Sequence, residues 1–103
     1  MRTVLLVLAS LTLQPFTLAP NEGRRLGFYN RQMSSAAIRV RGNGAGDVDC
    51  YLYDREGRFL ESDTGVVDSC LLTLPAHAPG HYTVVLSNVG IHTGMYTIAI
   101  EKP

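Results

Sequence analysis

Val48-Asp49-Cys50-Tyr51-Leu52-Tyr53 alternates without a break. Successive side chains of an extended chain point to opposite faces. Val48, Cys50 and Leu52 therefore share one face, and Asp49, Tyr51 and Tyr53 share the other. A helix would need apolar residues three and four apart, a spacing this block lacks. Gly42-Asn43-Gly44-Ala45-Gly46 precedes the block and Asp54-Arg55-Glu56-Gly57 follows it. Both are runs of turn-forming residues. Arg58-Phe59-Leu60-Glu61-Ser62 then reads as the return arm of a hairpin.

The same pattern extends in both directions. Arg24–Tyr29 and Ala36–Arg41 read as strands upstream, separated by the polar stretch Asn30–Ser35. Downstream, Cys70, Leu72 and Leu74 share a face, as do Tyr82, Val84 and Leu86, and then Tyr96, Ile98 and Ile100. Asp63-Thr64-Gly65, Pro75–Gly80 and Asn88-Val89-Gly90 separate these segments. Seven to eight short antiparallel strands from Phe16 onward predict an all-β sandwich or barrel. No helical period and no internal repeat occurs after residue 14.

With 103 residues the chain has room for one domain. Nine basic residues balance nine acidic ones, and this zero net charge argues against a nucleic-acid binder. No apolar run is long enough to span a membrane as a helix. The segment 1–14 reads as a signal peptide: Arg2 precedes Val4–Leu13, ten residues without a charge. The alternative is an apolar first strand. Thr17-Leu18-Ala19 has small residues at cleavage spacing, but Pro20 follows it. Residues 15–103 form the expected domain. Cys50 and Cys70 belong to no CxxC and both fall on inward positions. In an exported small domain, two such cysteines pair as a disulfide; otherwise they are separate buried thiols.

Gly46-Asp47-Val48-Asp49-Cys50-Tyr51-Leu52-Tyr53-Asp54-Arg55-Glu56-Gly57 is followed in order by His81–Gly90 and by Gly94-Met95-Tyr96-Thr97-Ile98. This ordered set, over about residues 16–101, resembles the bacterial pre-peptidase C-terminal domain family. The resemblance implies a jelly-roll-like antiparallel β-sandwich. It also implies an accessory role beside secreted enzymes, with collagen or calcium as ligands in some relatives. Cys50 stands where the family pattern carries leucine, and these residues hold no protease domain.

Asp47 and Asp49 share a strand face, and Asp54 opens the next turn. Ca²⁺ takes six to eight oxygen ligands, so Asp47, Asp49 and Asp54, with Asp63 or Asp68, are the candidate calcium ligands. The competing reading is that these aspartates fix turns by accepting backbone N–H bonds. Tyr51 and Tyr53 are candidate ligand-binding residues, since tyrosine joins a large ring to a polar tip. Equally, they are good residues for a half-buried sheet face. His77, His81 and His92 read as solvated loop residues. No Gly-x-Ser-x-Gly elbow, P-loop or Rossmann fingerprint occurs. The sequence therefore predicts a non-enzymatic, secreted or periplasmic binding or accessory module. Its expected partner is an extracellular protein, a collagen-like polypeptide or a polysaccharide. The alternative is a calcium-stabilised envelope domain with no specific ligand.

Overall fold

The computed structural model describes residues 4–6, 10–12, 14–31 and 35–101. Ten strands occur among them: β1 (Val4–Leu6), β2 (Ser10–Thr12), β3 (Phe16–Leu18), β4 (Gly23–Asn30), β5 (Ala36–Gly42), β6 (Val48–Tyr53), β7 (Phe59–Asp63), β8 (Ser69–Leu74), β9 (Gly80–Asn88) and β10 (Gly94–Glu101). The predicted block Val48–Tyr53 is β6 to the residue.

The first sheet has the order β1-β4-β9-β6-β7 and the second β2-β10-β5-β8, with β3 also on β10. Counting from β3, the eight antiparallel strands place 2-7-4-5 in one sheet and 1-8-3-6 in the other. That order is a jelly roll. β1 adds to β4 in parallel, and β2 adds to β10 beyond β3. The apolar segment 1–14 thus contributes backbone to both sheets; residues 1–3, 7–9 and 13 of it lie outside the described residues, as do residues 32–34 of the predicted loop.

Alternation explains the core. Phe28, Val48, Cys50, Leu52, Tyr82, Val84 and Leu86 face inward from the first sheet. Leu18, Ala36, Ile38, Val40, Cys70, Leu72, Leu74, Tyr96, Ile98 and Ile100 meet them from the second. Cys50 and Cys70 form a disulfide that crosses between β6 and β8. Leu18 has no exposed surface. Cleavage after Ala19 would therefore remove a core side chain, so Thr17-Leu18-Ala19 is a poor processing site on structural grounds as well.

The last strand of the first sheet, β7, departs from simple alternation. Phe59 and Leu60 of β7 are exposed, while Glu61 and Asp63 lie opposite the inward residues Leu52 and Cys50. Their carboxylates turn to the free edge of β8. The Leu71 N–H donates to Asp63 Oδ2 at 2.9 Å and the Thr73 N–H to Glu61 Oε2 at 2.6 Å. An open strand edge invites pairing with another chain, and these two acceptors occupy its outward donors. Removing both, as Glu61→Ala with Asp63→Ala, is expected to cost about 2 kcal/mol, roughly 1 per lost bond. The variant is also expected to self-associate with rising concentration in sedimentation velocity. A monomer of unchanged stability would contradict this role.

Candidate functional site

The outer surface of the first sheet follows directly from strand register. Thr83 of β9 pairs with Gly27 of β4 and with Tyr53 of β6. Val85 pairs with Arg25 and with Tyr51. Two rows therefore cross the sheet side by side. Phe59, 57% exposed, extends the first row, its ring edge-on to Tyr53 with centroids 6.0 Å apart. One step along, Tyr29 and His81 pack edge-to-face at 4.7 Å. Tyr51 and Tyr53 are half-buried. They occupy the solvent-side face, as alternation requires. His81 sits on β9 and stacks on Tyr29, which corrects its reading as a loop histidine.

A cavity of about 380 Å³ opens on this surface, lined by Arg25, Tyr53, Asp54, Arg55, Gly57 and Thr83. Ligand pockets typically begin near this size. An adjoining cavity of about 270 Å³ shares Asp54 and Arg55 and continues past Glu56, Pro79, Gly80 and His81 to Tyr82. The β6–β7 turn forms one wall of both. Asp54 shapes that turn: Oδ1 accepts the Glu56 and Arg58 N–H groups at 3.0 and 2.9 Å, and Oδ2 accepts from Arg58 Nε at 3.0 Å. Gly57 takes φ +80°, a conformation suited to glycine, and its N–H donates to the Asp54 carbonyl. The backbone N–H of Arg58, followed by its side chain, holds the Asp54 carboxyl below its ordinary range. Asp54 is thus a turn-fixing group.

The three candidate calcium ligands do not converge. Asp47 and Asp49 stand at the start of β6 and Asp54 just past its end. The six-residue strand β6 separates Asp47 from Asp54, and the seven residue steps between them span roughly 23 Å at about 3.3 Å each. Among the described residues no group of three His, Cys, Asp or Glu could hold a metal ion. Asp68, also considered, is committed elsewhere. Its Oδ2 accepts the Gly44 and Gly46 N–H groups at 3.0 and 3.3 Å, and its Oδ1 accepts the Tyr96 hydroxyl at 2.8 Å.

That contact belongs to a polar hub which sequence reasoning missed, at the opposite pole from the cavities. Asn88 is fully buried. It donates to the Leu18 and His92 carbonyls and accepts from the Asp47 and Gly90 N–H groups. Gly46 lies so close that a Cβ there would meet the Tyr96 hydroxyl and stand 2.9 Å from Asn88 Oδ1. The visible signal was the glycine-rich turn, whose N–H groups needed an acceptor. The hub braces loops that expose Val66 and Ile91, 93% and 83% accessible.

Burial, followed by the Asp68 hydrogen bond and charge, holds the Tyr96 hydroxyl well above its ordinary value of 10.0. The unfolded chain therefore loses this proton first as pH rises, and stability falls above about pH 10. The expected result is a Tm that drops steeply from pH 10 to 11 in the parent and less steeply in Tyr96→Phe. Parallel pH profiles would contradict it.

No family model matches the chain, and no curated protein matches it in sequence. Solved structures do match in fold. The pre-peptidase C-terminal domain of collagenase from Bacillus anthracis aligns over 96% of this chain and 92% of its own, with TM-score 0.69 and 14% identity. A surface-associated copper-binding protein, CorA, from Methylomicrobium album BG8 aligns over 100% and 98%, with TM-score 0.67 and 8% identity. The Aeromonas hydrophila periplasmic inhibitor of g-type lysozyme aligns over 96% and 94%, with TM-score 0.57 and 12% identity. At these identities the likeness establishes the fold alone.

Proposed function

We propose that the chain is a non-enzymatic binding module of the extracellular or periplasmic space. It recognises an extracellular or envelope macromolecule, protein or polysaccharide, through the outer face of its first sheet. Residues 1–14 act as the export signal, whose removal takes β1 and β2 with it, and residues 15–103, which hold the eight jelly-roll strands β3 to β10, act as the module. The observation carrying this reading is the face itself: Tyr53–Phe59 and Tyr29–His81 pack on the solvent side, next to a 380 Å³ cavity, while a separate core already fills the inner side. The Cys50–Cys70 disulfide supports an oxidising compartment. The fold shared with a collagenase accessory domain and a periplasmic inhibitor supports both the role and the relation to pre-peptidase C-terminal domains, with a collagen-like polypeptide among the partners to try.

Peptide and glycan arrays test it. A ligand found there is expected to lose about tenfold in affinity, roughly 1.4 kcal/mol, on Tyr53→Ala, with a smaller loss on Tyr51→Ala. A ligand indifferent to both changes would remove this face from the mechanism.

One observation favours the calcium-stabilised alternative. Asp47 Oδ1 is buried with no hydrogen-bond partner among the described residues. Burial, then the charges of Asp47 and Asp63, raises the Asp49 carboxyl above its ordinary value. A cation there would relieve both. On this reading 2 mM Ca²⁺ raises Tm by several degrees, because a ligand that binds only the native state stabilises it. Asp49→Ala abolishes the rise. Equal Tm in Ca²⁺ and EDTA ends the alternative.

A further inference from the structure

The charges around the two cavities are unevenly spent. Asp54 is engaged by Arg58 and two backbone N–H groups, and Glu56 lies 3.8 Å from the same Arg58. Arg25 and Arg55 line the cavity wall with no carboxylate at ion-pair distance among the described residues. Both are exposed. The cavities share Asp54 and Arg55, so they form one groove that bends around Arg55 from Thr83 to His81. Gly27 pairs with Thr83 at the floor of that surface and contributes no side chain to fill it.

The hydrogen-bonding pattern narrows the ligand. β9 is paired on both sides, by β4 and β6, and β6 is paired by β9 and β7. An extended peptide adding to a sheet needs an open backbone edge, and β6 and β9, which carry Tyr53 and Thr83, have none. Over β6 and β9 recognition comes from side chains: planar guanidinium forks, which fit carboxylates in two-point contact, and the Tyr53 ring, which offers a flat apolar face with a polar tip. Sugar acids present both features, a carboxylate and a ring, at each unit of the chain.

Building on the face assigned above, we propose that this groove binds an acidic, uronate-bearing polysaccharide, with carboxylates on Arg25 and Arg55 and a sugar ring on Tyr53. Isothermal titration with hexamers of galacturonate, guluronate and mannuronate tests it, with cellohexaose and poly-L-glutamate as comparators. At least one uronate hexamer is expected to bind, and cellohexaose to bind at least tenfold more weakly. Arg25→Gln with Arg55→Gln is expected to lose at least thirtyfold, with Tm retained because both side chains are exposed, and Tyr53→Ala about tenfold. Raising NaCl from 50 to 300 mM should weaken binding in the parent and barely change it in the double arginine variant. No binding of any uronate at millimolar concentration would overturn the proposal. Tighter binding of poly-L-glutamate would overturn it in favour of an acidic peptide. Binding of cellohexaose that needs Tyr53 but neither arginine would overturn it while leaving the aromatic face as the site.

Discussion

Asn88→Ala is expected to cost about 4 kcal/mol of folding stability. The side chain has no exposed surface and makes four hydrogen bonds, to Leu18, His92, Asp47 and Gly90. Alanine leaves two carbonyls and two N–H groups without their partner. Each such buried group costs about 1–3 kcal/mol, and partial relaxation of the loops toward water recovers some of the sum. The four partners lie on β3, on the β5–β6 loop and on the β9–β10 loop, so one substitution unlocks one whole pole. Domains of this size are stable by about 5–15 kcal/mol, so the loss is a large share of the total. Urea unfolding measures it directly. Asn88→Asp should fall between parent and alanine, because it keeps the acceptor and loses both donors. A cost below 1 kcal/mol for alanine would show that the hub does not brace the pole.

Replacing both cysteines, Cys50→Ala with Cys70→Ala, is expected to cost about 3 kcal/mol, the chain-entropy value for a loop of some 20 residues. The loop contains the β6–β7 hairpin from Cys50 onward. That hairpin carries Tyr51, Tyr53 and Arg55, and its β7 carboxylates cover the β8 edge. Tm should fall by about 15 °C, at roughly 4–8 °C per kcal/mol. Two effects should accompany it in the folded protein: faster amide exchange in β7 and weaker ligand binding. Reducing the parent with dithiothreitol should reproduce the Tm shift. A double variant with unchanged Tm would mean that packing alone holds β6 to β8.

Strand positions were legible because alternation is a local property. Val48–Tyr53 needed only its own six residues, and the inward cysteines followed from the same parity. The jelly-roll order came from resemblance, since parity says nothing of which strands pair. β7 shows where local reading stops. Its two large apolar residues, Phe59 and Leu60, are exposed, and its inward positions hold Glu61 and Asp63. The reason is nonlocal: those carboxylates answer donors on β8, eight and twelve residues away. Asn88 and Asp68 were hidden for the same cause, with partners up to 70 residues distant. The aspartates at 47, 49 and 54 look close in sequence, but an extended strand carries its ends apart. Parity put Tyr51 and Tyr53 on the solvent side; it could not put Arg25, Tyr29 and His81 beside them, because only strand register brings β4 and β9 next to β6.

Amide chemical-shift mapping on titration with a galacturonate, guluronate or mannuronate hexamer reads the location of binding without any substitution. The expected perturbations centre on Arg25, Tyr53, Arg55, Gly57 and Thr83 and fade toward Val66 and Ile91 at the far pole. Shifts concentrated on residues 64–68 and 89–93, with the β4–β9–β6 face unmoved, would contradict the assignment of that face.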